Sequence, residues 1–192
     1  ATVPPDPSAQ SLQMEVAAAF LDAGKAEQAV EAYQHYLETF SDRPGRAEAF
    51  NGKGWALLLQ QRPAYVEAAD AFRQAYSLFI EPAEKAKCLV KTADCHFSNK
   101  QFGLAAQAYE QVLSEFPASP LSLQALFQVA ECMARTRKPT EAERLFRSVI
   151  ATNPTGAFAD QALLRIAEIK EDQGEPAAAL TAYDQLMTTY TN

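Results

Sequence analysis

A catalytic, metal or phosphate site would have to be built from histidine, cysteine or a glycine loop, and the chain has two histidines, three cysteines and seven glycines in 192 residues. Cys95 and His96 are neighbours in sequence. Consecutive residues of a helix point about 100° apart, so the two cannot act on each other as nucleophile and base. The expected arrangement is a packed cysteine beside a partly exposed histidine. Cys88 and Cys95 lie two helical turns apart, roughly 10 Å along the axis, which exceeds disulfide reach and leaves no ligand cluster for zinc. The segment NGKG at 51–54 has neither the preceding strand nor the spacing of a nucleotide loop. No catalytic residue, cofactor site or metal site is assigned, and the chain is not expected to be an enzyme.

Charge and hydropathy narrow the partners. Seventeen basic against 24 acidic residues give a net charge of -7, which repels a phosphate backbone and argues against nucleic acid or an anionic membrane surface. The longest apolar runs, 16–21 and 55–59, fall far short of the 18 or so residues that span a bilayer. A hydrophobic content of 48% suffices for a packed core. The opening ATVPPDPSAQ, with Pro4, Pro5 and Pro7, reads as an extended leader or linker over residues 1–8. It suits a mature exported protein or a piece of a longer one.

Low glycine and abundant alanine favour helices, and the pattern that positions them is a repeat. Tyr33, Phe72, Tyr109, Phe146 and Tyr183 are separated by 39, 37, 37 and 37 residues. Sixteen residues before four of them stand Ala17, Ala93, Ala130 and Ala167. Before Phe72 the small residue is Gly54, 18 residues away, with a two-residue insertion near Arg62. Apolar residues recur at three- and four-residue steps on both sides of a short break, so each unit reads as two helices. The pairs are expected at 9–23 with 25–40, 46–60 with 63–79, 83–99 with 101–116, 120–136 with 139–152, and 157–173 with 176–190. Gly24 and Gly174 suit the positive φ that ends a helix, while Pro63, Pro139 and Pro176 suit a first turn. Thr140 and Glu143 offer a capping box that would start that helix later. The small residue lets two helix backbones approach and the aromatic fills the space beside it, with Ala29, Ala105, Ala142 and Ala179 as a second close contact. Cys95 and Cys132 are equivalent positions, both expected in the core. One pair cannot bury both faces, so neighbours must stack.

This pattern resembles the tetratricopeptide repeat (TPR) family. Ala93, Ala105, Tyr109 and Pro117 match the family's small, alanine, aromatic and proline positions, as do Ala130, Ala142, Phe146 and Pro154. The first and fifth units have Ser41 and Thr191 in place of the proline. The resemblance covers about residues 9–190 and implies an all-α fold, a right-handed superhelix of antiparallel helix pairs, with repeats at about 9–43, 44–81, 82–118, 119–155 and 156–192. The period near 37, with phrases such as YEQVLSEFPASP, is similar to the repeats of bacterial cell-envelope proteins, notably the outer-membrane barrel-assembly lipoprotein and the periplasmic partner of the Tol-Pal system.

In that family the residue after the small one faces a concave groove. Here it is Ala18, Trp55, Asp94, Glu131 and Glu168 in turn, with Asn51, Val90, Phe97, Phe127, Arg135, Leu164 and Glu171 as groove neighbours. The resemblance thus implies an apolar, aromatic first half and an acidic ladder, suited to a protein or peptide carrying Lys, Arg or amide groups. Asp94 and Glu131 stand where recognition of an acidic C-terminal tail would need cations or amides. Leu180 and Met187, seven apart on the last helix, are expected to be an open apolar end that meets another copy, a partner or further repeats. The function expected is a non-catalytic protein-interaction scaffold of the bacterial periplasm or envelope, with the cytoplasm as the alternative compartment. An oligomerisation module and an accessory domain of an enzyme are the rival readings.

Overall fold

A computed structural model describes residues 7–42 and 44–190, without the side chains of Pro7 and Tyr190. Ten helices follow one another: α1 (Pro7–Asp22), α2 (Ala26–Thr39), α3 (Arg46–Leu58), α4 (Tyr65–Leu78), α5 (Pro82–Ser98), α6 (Phe102–Glu115), α7 (Ser122–Arg135), α8 (Pro139–Thr152), α9 (Ala159–Asp172) and α10 (Pro176–Tyr190). No strand occurs among the described residues. The chain forms two compact units, residues 1–100 and 101–192. Within each unit every helix packs on the next, and in the first unit α1 also touches α3. Of the leader expected over 1–8, the first six residues lie outside the described residues, and Pro7 and Ser8 begin α1.

The turns inside the pairs explain where helices stop. After α1, Gly24 adopts φ 70. Its N–H reaches the Leu21 carbonyl at 3.0 Å and the Lys25 N–H reaches Phe20 at 2.9 Å, the two-bond closure of a helix C-terminus that needs a left-handed residue. Gly174 repeats it at φ 75. The equivalent residues after α5 and α7 are Lys100 and Arg137, at φ 60 and 59. Neither is glycine, so residue type does not announce these two left-handed positions. A cation at a helix C-terminus meets the negative end of the dipole, which offsets part of the backbone strain. The insertion near Arg62 falls in the longer turn 59–64, and there the expectation for Pro63 fails: α4 begins only at Tyr65, after the N-cap Ala64, so Pro63 lies inside the turn rather than opening the helix. Pro139 and Pro176 do open their helices, and so does Pro82. The alternative capping box at Thr140 does not form, since α8 starts at Pro139 without a side-chain cap.

Packing follows the small-residue rule. Ala17, Ala93, Ala130 and Ala167 are completely buried, as are Phe72 and Phe146. A Cβ added at Gly54 would come within 2.8 Å of the Phe72 ring, so the second pair approaches more closely than alanine allows. In the first unit Tyr33, Tyr36, Leu37 and Phe40 gather around Ala17, Ala29 and Ala49, and Leu57, Phe72 and Cys95 form a second cluster. In the second unit Phe127 lies 5.4 Å from both Phe146 and Phe158. The three cysteines are free and buried. Burial first, and neighbouring carboxylates second, push each thiol up to about 12.

Candidate functional site

In the first unit the side chain of interest is Trp55 on α3. It is 38% exposed, yet it is held in place: its ring meets buried Phe72 edge-on, with centroids 5.8 Å apart. From α5, Lys91 places its ammonium 5.0 Å from the Trp55 ring centroid and 2.9 Å from Asp94 Oδ2. One cation therefore serves an aromatic face and a carboxylate together. Asn51, one turn before Trp55, and Phe97, one turn after Asp94, are half-buried. Val90 is buried and offers no surface to a ligand.

In the second unit Glu131 on α7 and Glu168 on α9 are joined by Arg165. Its Nε donates to Glu131 Oε1 at 2.5 Å and a terminal nitrogen donates to Oε2 at 3.1 Å. Its other terminal nitrogen donates to Glu168. Burial would lower the Arg165 pKa, but hydrogen bonds and the charges of Glu131 and Glu168 outweigh it and raise it. Glu131 is itself buried, as a charge can be only when paired. Phe127 is also buried, between its two aromatic neighbours. Leu164 is 38% exposed. Arg135 and Glu171 are exposed, and Glu171 accepts a hydrogen bond from the Tyr183 hydroxyl at 3.1 Å.

The acidic row is therefore not a bare ladder: Asp94 is countered by Lys91, and Glu131 and Glu168 by Arg165. The signal that would have found these cations, which the repeat alignment passes over, is a base three residues before Asp94 and before Glu168, the spacing at which a helix brings side chains together. Apart from these, Lys170 joins Glu143 of α8 at 2.9 Å and Glu175 at 3.1 Å. His96 is buried rather than partly exposed, with Nε2 3.4 Å from Arg73. Among the described residues no group of three or more His, Cys, Asp or Glu could hold a metal, and no helix is long and apolar enough to cross a membrane.

No curated protein matches the sequence. Solved structures share the fold at low identity. MamA from Desulfovibrio magneticus is 14% identical with a TM-score of 0.73, covering 97% of each chain. A kinesin light chain protein of Podosopora anserina with nearly identical TPR-like repeats is 17% identical with a TM-score of 0.70, covering 96% of each. YrrB, described as a TPR protein with an unusual peptide-binding site, is 20% identical with a TM-score of 0.69, covering 93% of this chain and 84% of its own. One tetratricopeptide repeat model matches residues 17–87, 65–120 and 90–157, and a second matches 161–192. With helix pairs in register and these models spanning most of its length, the chain belongs to the tetratricopeptide repeat family.

Proposed function

We propose that the chain is a non-catalytic scaffold that holds a segment of a partner protein. The observation that carries this reading is Trp55: a large aromatic side chain left 38% exposed while fixed by Phe72 and Lys91. Fixing it beforehand removes most of the ordering cost of using it as an anchor. The peptide-binding site named for YrrB supports the same class of function. Asp94 and Glu168, with 31% and 40% of their side chains exposed, suit basic or amide groups on the partner, which must compete with Lys91 and Arg165. The bacterial envelope is the compartment we propose, on the longer repeat period, and fractionation of the producing cells tests it.

Trp55 is the chain's only tryptophan, so its fluorescence reports its own site. A partner captured from an envelope extract should shift that emission, and Trp55→Ala should weaken capture by about thirtyfold, as a central aromatic anchor does. Unchanged emission together with unchanged capture would move the site elsewhere.

A second reading, self-association, is favoured by the outer face of α10. The paired positions beside the aromatic stripe are Val30 with Leu37, Ala69 with Tyr76, Ala106 with Leu113, and Glu143 with Ile150, all buried or half-buried. Their equivalents Leu180 and Met187 are 62% and 63% exposed. The occupant proposed is a second copy of the chain.

A further inference from the structure

Within the second unit a cleft of about 630 Å³ lies between the end of α7, with the turn after it, and the C-terminal half of α9. Its apolar surface comes from Ala134, Pro139 and Ile169. The wall on the α7 side carries Arg135 and Arg137, and neither guanidinium makes an ion pair or hydrogen bond among the described residues, although the Arg137 backbone N–H donates to the Ala134 carbonyl at 3.2 Å. The wall on the α9 side carries Glu168 and Asp172. Arg165 also lines it, but its charge is shared between Glu131 and Glu168. Asp172 has no cationic partner among the described residues. Two walls of opposite sign thus line one cleft without closing on each other, in a chain whose acids outnumber its bases 24 to 17.

We propose that this cleft takes a segment of a partner protein that carries a carboxylate and a cation close together. The carboxylate lies against Arg135 and Arg137, and the cation against Asp172 and the exposed edge of Glu168. A segment of one sign would be attracted to one wall and repelled by the other, because both walls line the same cleft and charges that share a cleft act on the same ligand with less screening than charges spread over open surface. A segment of both signs is attracted at each. Arginine suits the first role, since its fork can hold a carboxylate by two parallel hydrogen bonds. The apolar surface between the walls takes the aliphatic stems of the same side chains.

This inference rests on the scaffold reading and gives its partner a charge pattern. The full chain is titrated with three labelled peptides of equal length and apolar content: one with a Glu pair followed by a Lys pair, one with Glu throughout, one with Lys throughout. The mixed peptide should bind about tenfold more tightly than either other, and added salt should reduce the difference. Arg135→Glu with Arg137→Glu should transfer the preference to the all-Lys peptide while helical dichroism and the melting temperature stay near those of the wild type, which separates a changed cleft from an unfolded chain. Equal binding of the three, or a preference that the double variant leaves in place, overturns the cleft. Full displacement of the mixed peptide by equimolar inorganic phosphate overturns it too, making the site one for a free anion. Partner capture that depends on Trp55 without peptide discrimination leaves the scaffold standing and removes the cleft. Discrimination in a chain that captures no partner does the reverse.

Discussion

Arg165 is the residue on which the second unit's polar site turns. Removing it leaves Glu131, 8% exposed, without its bidentate partner, and an unpaired buried charge costs more than the pair contributes. Arg165→Met should lower stability by about 2 kcal/mol, at the low end because the Arg165 side chain keeps 28% exposure. Adding Glu131→Gln should restore part of that loss, since an amide needs no counter-charge. Denaturant unfolding of the two variants decides it, and equal stability would show that Glu131 is solvated by another route. The cysteines make a second test. Alkylation requires the thiolate, and with each thiol pushed up to about 12 the native protein should resist reagent at pH 8 and release three thiols only in denaturant. A native protein that reacts at pH 8 would place a cysteine at the surface. At this scale the sequence was half legible. It showed the carboxylates at their repeat positions, but a pattern that aligns repeats discards what differs between them. Lys91 and Arg165, the cations that change the meaning of Asp94, Glu131 and Glu168, were lost in that way. Val90 and Phe127 were placed at the groove by position, and burial was decided by neighbours distant in sequence, for Phe127 by Phe146 and Phe158.

At the scale of the helix the reading was nearly complete, because periodicity and proline fix where a helix can run before any tertiary contact is known. Lys100 and Arg137 escaped it since the left-handed conformation is imposed by the closure of the turn, whatever residue stands there. Gly24 and Gly103 separate conformation from packing. Neither has any atom within 4 Å of a built Cβ, so sterics do not distinguish them. Gly24 sits at φ 70, where a side chain costs about 1–2 kcal/mol, while Gly103 lies in the first turn of α6. Gly24→Ala should therefore destabilise by about 0.5–1 kcal/mol after allowing for the lower entropy of the unfolded chain. Gly103→Ala should stabilise by up to about 1 kcal/mol. Thermal melts of the two variants should move in opposite directions. A shift of the same sign in both would mean that the turn at Gly24 relaxes to accept a side chain.

For the whole molecule, a repeat protein is stabilised by contacts between neighbouring elements, so any face that neighbours cover elsewhere is informative where it is open. On α2, α4, α6 and α8 that face is at least half-covered, whereas on α10 Leu180 and Met187 keep 62% and 63% exposure. Burying each would contribute roughly 1–2 kcal/mol, a discounted share of the value for full burial, so a symmetric contact between two copies gains about 4–8 kcal/mol from four side chains. Association costs at least about 4 kcal/mol in lost translation and rotation. From these four side chains alone, the balance favours a weak pairing. Light scattering should therefore give a molar mass that rises with concentration from that of one chain towards that of two. Leu180→Glu with Met187→Glu should hold the mass at one chain, because two like charges would face two more across the contact. Its melting temperature at low concentration should stay near the wild type, since exposed side chains contribute little to the fold of a single copy. A wild type that stays at one chain's mass at its highest soluble concentration would show that α10 presents an ordinary solvent-facing surface.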